Sequence, residues 1–167
     1  MKYLAHFAVT SLLCIMAFNA AGQKLAHVER GQILQNMPKV QKAQKNLQTY
    51  SKELEGQVQS LMKEYRTKLK DFQENSESMT ATQRSDKERE LKNLEERIQK
   101  FRQDAQKQVS KKRSELLKPI MEEVNNTIEQ IAQEKGYTYV FDASQGSILY
   151  AKDGKDITPL VKQRLDM

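Results

Sequence analysis

Apolar residues recur through the middle of the chain at Leu47, Tyr50, Leu54, Val58, Leu61, Tyr65, Leu69 and Phe72, and again at Leu91, Leu94, Ile98, Phe101, Ala105, Val109, Leu116 and Ile120. Steps of three and four residues trace one face of a helix. The two series mirror each other about the polar stretch 76–85. Phe72 with Leu91, Leu69 with Leu94, Tyr65 with Ile98, Val58 with Ala105, Leu54 with Val109, Leu47 with Leu116 and Ala43 with Ile120 all have residue numbers summing to 163, and Leu61 with Phe101 falls one short. The pattern predicts an antiparallel helical hairpin over 38–118, with its tip near 76–85. Its seam repeats every eleven residues, since Leu47, Val58 and Leu69 form one row and Tyr50, Leu61 and Phe72 the next. Eleven residues over three turns is close to an unstrained helix, so little supercoiling is expected. Roughly 40 residues per helix give about 60 Å. A hairpin that long and thin encloses no core of its own, and so it is expected to be an arm mounted on a body.

The flanking segments predict that body, 23–37 with 119–167. Lys24 to Glu29 reads as a strand, and Pro38 suits the first turn of the outgoing helix, where its missing N–H costs nothing. The returning helix begins at one of two capping boxes, Thr80 to Gln83 or Ser85 to Glu88. Pro119 is expected to interrupt that helix, as the kink between arm and body. Beyond it Ile120, Val124, Ile128 and Ile131 continue at helical spacing until Gly136, a C-terminal cap. The period then changes to two: Tyr137, Tyr139 and Phe141 alternate with Thr138, Val140 and Asp142, and Ser147 to Ala151 follow, which predicts a β-hairpin. Asp153-Gly154 reads as a turn, and Thr158-Pro159 as N-cap and first residue of a last short helix. The fold class is thus α+β, mostly helical, on a small β-rich oligomerisation body. A body of about 60 residues is marginal alone, so a homo-oligomer is expected, with Tyr137, Tyr139 and Phe141 in its core.

The N-terminus changes the compartment. Met1-Lys2, an uncharged apolar run from Leu4 to Phe18, and the small residues Ala20 and Gly22 read as a secretory signal peptide over 1–22, cleaved near Gln23. The run of about 15 residues is shorter than the roughly 20 that span a bilayer. Leu13 directly before Cys14 does not fit a lipid-attachment signal, which places a small residue there. Cleavage leaves a chain without cysteine, stabilised by packing or oligomerisation and not by disulfides.

Charge separates the two parts. Residues 38–118 carry 20 basic side chains against 13 acidic ones, whereas 23–37 and 119–167 carry 7 against 9. Lys107, Lys111, Lys112, Arg113 and Lys118 are the densest basic group. For any one of them a solvated helix face is the simpler reading; the whole surplus makes a field that attracts acidic polymers or anionic lipid. Arg113 lies opposite Tyr50 in the register and is a candidate for a cation–π pair. Met62 and Met79 lie off the strict seam, and flexible thioethers contact many apolar shapes, although seam-edge packing explains each alone. His27 stands alone in the first strand, without the partners that catalysis or a metal would need. No nucleophile–base pattern and no glycine-rich phosphate loop occurs. The sequence therefore points to no enzyme, no cofactor and no metal, and it carries no nucleic-acid recognition motif.

Specific segments accompany this order of parts: Leu25-Ala26-His27-Val28 leading to Ile33-Leu34 and Met37-Pro38, then Tyr139-Val140-Phe141-Asp142-Ala143, Ile148-Leu149-Tyr150 and Lys155-Asp156-Ile157-Thr158. With them the chain resembles the Skp/OmpH family of periplasmic chaperones over 23–167, the arms matching in pattern and composition only. His27 stands where that family usually has an apolar or aromatic residue. The resemblance implies a jellyfish-like homotrimer whose arms enclose unfolded outer-membrane proteins in the periplasm, without ATP, before their insertion. Lys107, Lys111, Lys112, Arg113, Lys118, Met62 and Met79 would then be the client-facing candidates, with anionic lipid or lipopolysaccharide as a further partner. A structural coiled-coil spacer of the cell envelope, with no chaperone activity, is the alternative.

Overall fold

A computed structural model describes residues 23–144, 146, 148–151 and 154–167. The signal peptide expected over 1–22 lies outside the described residues, as do Ser147 and Asp153. The elements run β1 (Leu25–Val28), α1 (Arg30–Asn36), α2 (Pro38–Asn75), a 3-10 turn (Ser76–Ser78), α3 (Ala81–Lys135), β2 (Tyr139–Asp142), β3 (Lys155–Asp156) and α4 (Thr158–Arg164). The protein is mostly helical with a few parallel strands. Two compact units divide it, one comprising 34–123 and the other the described residues of 23–33 and 124–167.

In unit 34–123 the helix starts and stops follow local chemistry. Met37 is extended and caps α2, with Pro38 at its first position, and the Met37 carbonyl accepts from the amides of Val40 and Gln41 at 2.9 and 3.2 Å. At the far end the chain resolves the two possible starts of α3 in favour of Thr80. The Thr80 amide donates to Gln83 Oε1 at 2.9 Å, and the Gln83 amide donates to Thr80 Oγ1 at 3.3 Å, a reciprocal capping box. The Arg84 guanidinium closes the turn by donating to the Ser76 carbonyl at 2.9 Å.

The seam residues are buried at Ala43, Leu54, Leu91, Leu94, Ile98 and Ile120, and half-buried at the other seam positions. Cross-helix polar pairs flank the seam at both ends: Lys39 with Glu123, Lys68 with Glu90 at 2.5 Å, and Lys87 with Asp71 at 3.2 Å. The hydrogen bond from Lys68 holds the Glu90 carboxyl below its ordinary value and raises the Lys68 ammonium. Both groups face solvent, so the pair fixes register more than it adds stability.

Pro119 does not interrupt the returning helix, as its position had suggested; α3 runs through it unbroken. Proline withholds one amide, and the carbonyl this leaves unbonded belongs to Glu115, which is exposed and open to water. Leu116 and Ile120, on either side, remain on the packed face.

The second unit is built on a three-stranded sheet in the order β2-β1-β3, both pairings parallel. This corrects the expected β-hairpin. Tyr139–Asp142 pairs with β1 and not with the segment that follows, and 148–151 is not strand. Alternation in sequence reveals a strand without naming its partner, and the central position goes to β1 because Ala26 and Val28 are its fully buried residues. Hydrogen bonds donated by the amides of Thr138 to the Lys24 carbonyl, of Ala143 to the Val28 carbonyl and of Ile157 to the His27 carbonyl lengthen both ladders.

One face of this sheet is covered. Ala26, Val28, Ile33, Val124, Thr127, Ile131, Ile157 and Val161 form the core there. Helix α1, unexpected from sequence because Gly31 and polar neighbours weaken its pattern, belongs to that packing through Ile33. Gly31 is needed for space, since a Cβ there would meet the Ser144 Cβ at 3.0 Å. Arg30 pairs with Asp142 at 3.1 Å. Burial pushes the Asp142 carboxyl up, but hydrogen bonds from Ser144 and the charge of Arg30 outweigh it and hold the group below its ordinary value. Thr158 is not the N-cap of α4; Ile157 is. The Thr158 hydroxyl instead accepts from the Glu29 amide at 2.9 Å, while Asp156 Oδ1 accepts from the Thr158 amide at 2.8 Å. Arg164 closes the far end with a two-pronged contact to Glu134 at 2.6 and 2.7 Å.

Candidate functional site

Two surfaces carry the candidate residues, one in each unit. The first is the uncovered face of the sheet. Strand alternation turns Ala26 and Val28 to the core, so Leu25 and His27 point to the opposite side. The parallel register sets Tyr139 beside Leu25 and Phe141 beside His27. Tyr139 and Phe141 are 52% and 48% exposed, large values for two aromatic rings on one strand face, and the rings stack with centroids 6.2 Å apart. Leu149 and Tyr150, at 96% and 79% exposure, extend the apolar surface. Between them and the sheet lies a cavity of about 760 Å³ lined by Leu25, His27, Phe141, Ile148, Leu149 and Tyr150 among others. Tyr137 takes a different place: its ring lies under the Lys24 ammonium at 4.8 Å and is half-buried. Scattered exposed apolar residues need no explanation, but a contiguous patch rich in aromatic side chains marks an interaction surface.

The second surface is the exterior of the helix pair. Lys111 and Lys112 both approach Glu115 at 3.9 Å, and Lys118 approaches Glu122 at the same distance. Exposed pairs this long exert little hold on either side chain. Lys107 and Arg113 make no ion pair among the described residues; Arg113 lies beside Leu47, Leu116 and Leu117. It is Lys112, not Arg113, that stands over the Tyr50 ring, at 6.0 Å, while the Tyr50 hydroxyl donates to Gln108 Oε1 at 2.8 Å. The one-residue offset follows from helix geometry: a side chain leans toward the N-terminus of its helix, so residues facing across the seam need not be those with matching numbers.

Midway along the pair, where Val58 and Ala105 are the seam residues, the seam is shallow. A groove of about 550 Å³ opens there between Leu54, Val58, Ala105 and Val109, rimmed by Glu55 and Arg102. Sequence reasoning passed over it, although the small side chain of Ala105 in the seam is the signal. Met62 borders this region and is held by the Arg102 guanidinium, whose Nη2 lies 2.9 Å from the sulfur. Met79 is half-buried at the turn before α3. The structure thus keeps the basic candidates and Met62 on the helix pair, puts Met79 at its turn, and groups Tyr139 and Phe141, without Tyr137, on the open sheet face.

No cluster of histidine, cysteine, aspartate and glutamate capable of holding a metal occurs among the described residues. No helix among them is long and apolar enough to cross a membrane.

A family profile described as "Outer membrane protein (OmpH-like)" matches residues 24–165. Chaperone protein Skp of Photorhabdus luminescens is 27% identical over 157 residues, covering 90% of this chain and 92% of that protein. Chaperone protein Skp of Yersinia enterocolitica is 28% identical over 154 residues, covering 89% and 90%. Among solved structures, an OmpH-like protein from Caulobacter crescentus CB15 has the same fold, with a TM-score of 0.75 at 16% identity over 89% of this chain and 86% of that one.

Proposed function

The chain belongs to the OmpH-like outer membrane protein family, and from that premise we propose that it is an ATP-independent holdase of the periplasm. In this reading residues 1–22 are removed near Gln23, three copies assemble through the open sheet faces, and the helix pairs stand as arms around a cavity that takes unfolded outer-membrane proteins. The chemistry is non-enzymatic: aggregation is prevented by enclosure, and the client later leaves for the membrane.

The observation that carries the reading is the division of labour on the helix pair. Its apolar residues are largely committed to the mirrored seam, with Leu54, Leu91, Leu94 and Ile98 buried, while 20 basic against 13 acidic side chains lie over 38–118. What remains outside is long, basic and only sparsely apolar. Such a surface attracts an acidic chain at long range and fixes it nowhere strongly, as a client that must be released requires. Lys107, Lys111, Lys112, Arg113 and Lys118 supply the field, and Met62 and Met79 supply adaptable contacts. The same field would admit anionic lipid or lipopolysaccharide.

Dilution of a urea-denatured outer-membrane β-barrel protein into buffer containing the mature chain tests this against a purely structural spacer. Light scattering is expected to stay near baseline once the protein is in excess, with weaker protection as salt rises. Scattering that develops unchanged at excess protein would leave the spacer as the better account.

A further inference from the structure

We propose that Gln23 is a modification site: once the signal peptide is removed, its α-amine closes onto its own side-chain amide to give pyroglutamate, and the blocked terminus shields the central strand from aminopeptidases. The proposal rests on the cleavage between Gly22 and Gln23 given above and adds a chemical fate for the end that cleavage creates. It does not depend on the oligomer. Glutamine suits this closure because the attack forms a five-membered ring and the group that leaves is ammonia. The Gln23 amine nitrogen attacks its own Cδ, so the N–Cδ bond forms and the Cδ–Nε2 bond breaks. Nε2 departs as ammonia with one proton taken from the amine. Nothing is oxidised or reduced, and no co-reactant is consumed. As in N-terminal acetylation, the terminal charge disappears.

The structure leaves Gln23 free to react. It is exposed and makes no hydrogen bond among the described residues, so its carboxamide can turn back onto its own amine. From the next residue onward the chain is fixed. The Lys24 carbonyl accepts from the Thr138 amide at 2.8 Å, and the Lys24 ammonium donates to the Lys135 carbonyl at 2.6 Å while lying over the Tyr137 ring at 4.8 Å. The new ring uses only atoms of Gln23 and leaves its peptide bond to Lys24 untouched, so none of these contacts has to move. The same placement makes an open amine hazardous. Lys24 alone separates Gln23 from β1, the central strand of the sheet. Free termini are where proteolysis concentrates, and here trimming has no dispensable tail to consume. Loss of Gln23 and Lys24 would remove the acceptor for the Thr138 amide and the cation over Tyr137, and the next cut would take Leu25, the register partner of Tyr139. Aminopeptidases act on a free α-amine, and pyroglutamate has none.

Intact-mass spectrometry with mapping of the N-terminal peptide, on protein exported with its own signal peptide and then purified, tests the idea beside Gln23→Ala. Most wild-type molecules are expected to weigh less, by one ammonia, than a chain beginning at unmodified Gln23, with the loss confined to the N-terminal peptide. Gln23→Ala should show no such loss. On treatment with a broad-specificity aminopeptidase the wild type is expected to keep its mass, whereas Gln23→Ala should lose residues from its N-terminus. Far-UV circular dichroism before treatment checks that the variant is folded. An unmodified Gln23 in the purified protein, or a Gln23→Ala chain that resists the aminopeptidase as the wild type does, would overturn the proposal and leave the cleavage reading intact. A chain that begins at any other residue would overturn both.

Discussion

If the chain assembles as proposed, replacing Tyr139 and Phe141 together by serine is expected to convert the oligomer to monomers at micromolar concentration while leaving each chain folded. Both rings are about half exposed in the separate chain, and neither belongs to the core formed by Ala26, Val28, Ile33, Val124, Ile131, Ile157 and Val161. Their loss thus removes little that holds one chain together. In the assembly the exposed half of each ring, about 100 Å², would be covered, a gain of about 2.5 kcal/mol per ring at about 25 cal/mol/Å². Part of that is offset by immobilisation. Two rings on each copy still leave an expected rise in dissociation constant of at least about a hundredfold. Analytical ultracentrifugation reads the mass, and the light-scattering assay reads the consequence: protection of the unfolded client should disappear with the oligomer. A variant that stays oligomeric would place the interface elsewhere on the chain.

A second large effect is expected from Leu94→Asp. Leu94 is buried in the seam between Leu91 and Ile98, which are buried as well. A carboxylate there has no partner and loses its water, a cost of about 3 kcal/mol or more to the local packing. The helix pair is only two helices thick, so it can relieve this by separating around the substitution without unfolding elsewhere. Hydrogen exchange should rise sharply over roughly 60–100, while the sheet-bearing unit keeps its protection. Substitution of the exposed neighbour Asn93 by aspartate is the control and should change little. Unaltered exchange around Leu94 would mean that the seam does not hold the two helices in place.

How far these features could be read from sequence depended on whether the signal was local. The helical spacing of the seam residues, Pro38 at the start of α2 and a capping box at the start of the returning helix are local patterns, each fixed by residues three or four apart, and the structure displays them, choosing Thr80 over Ser85 for the cap. The strand partners were not legible, because Tyr139 to Asp142 alternates in the same way whether it pairs with the next segment or with a strand more than 100 residues earlier. Only burial decides, and the fully buried positions of β1 made it the centre of the sheet. Thr158 failed as an N-cap for a related reason: its hydroxyl is taken by the Glu29 amide, a contact that sequence distance conceals. Pro119 showed the opposite bias. A strong local rule predicted a break, yet a single missing hydrogen bond on an exposed helix side was too small to end a 55-residue helix.

The candidate surfaces divide along the same line. Basic residues and methionines are visible in composition, so the helix-pair candidates could be listed from sequence, but the shallow groove between Val58 and Ala105 depends on how two distant segments pack. Tyr139 and Phe141 were recognisable as residues that a small body would bury. Their exposure in the separate chain, next to Leu149, Tyr150 and the unpaired Nδ1 of His27, required the tertiary arrangement.

The central claim is that several copies of this chain together hold one unfolded outer-membrane protein. Native mass spectrometry of the mature chain, mixed with a urea-denatured outer-membrane β-barrel protein and then diluted, measures this directly. The account predicts a dominant species with the mass of three copies plus one client. Client found only in aggregates, or bound to a single copy, would contradict it.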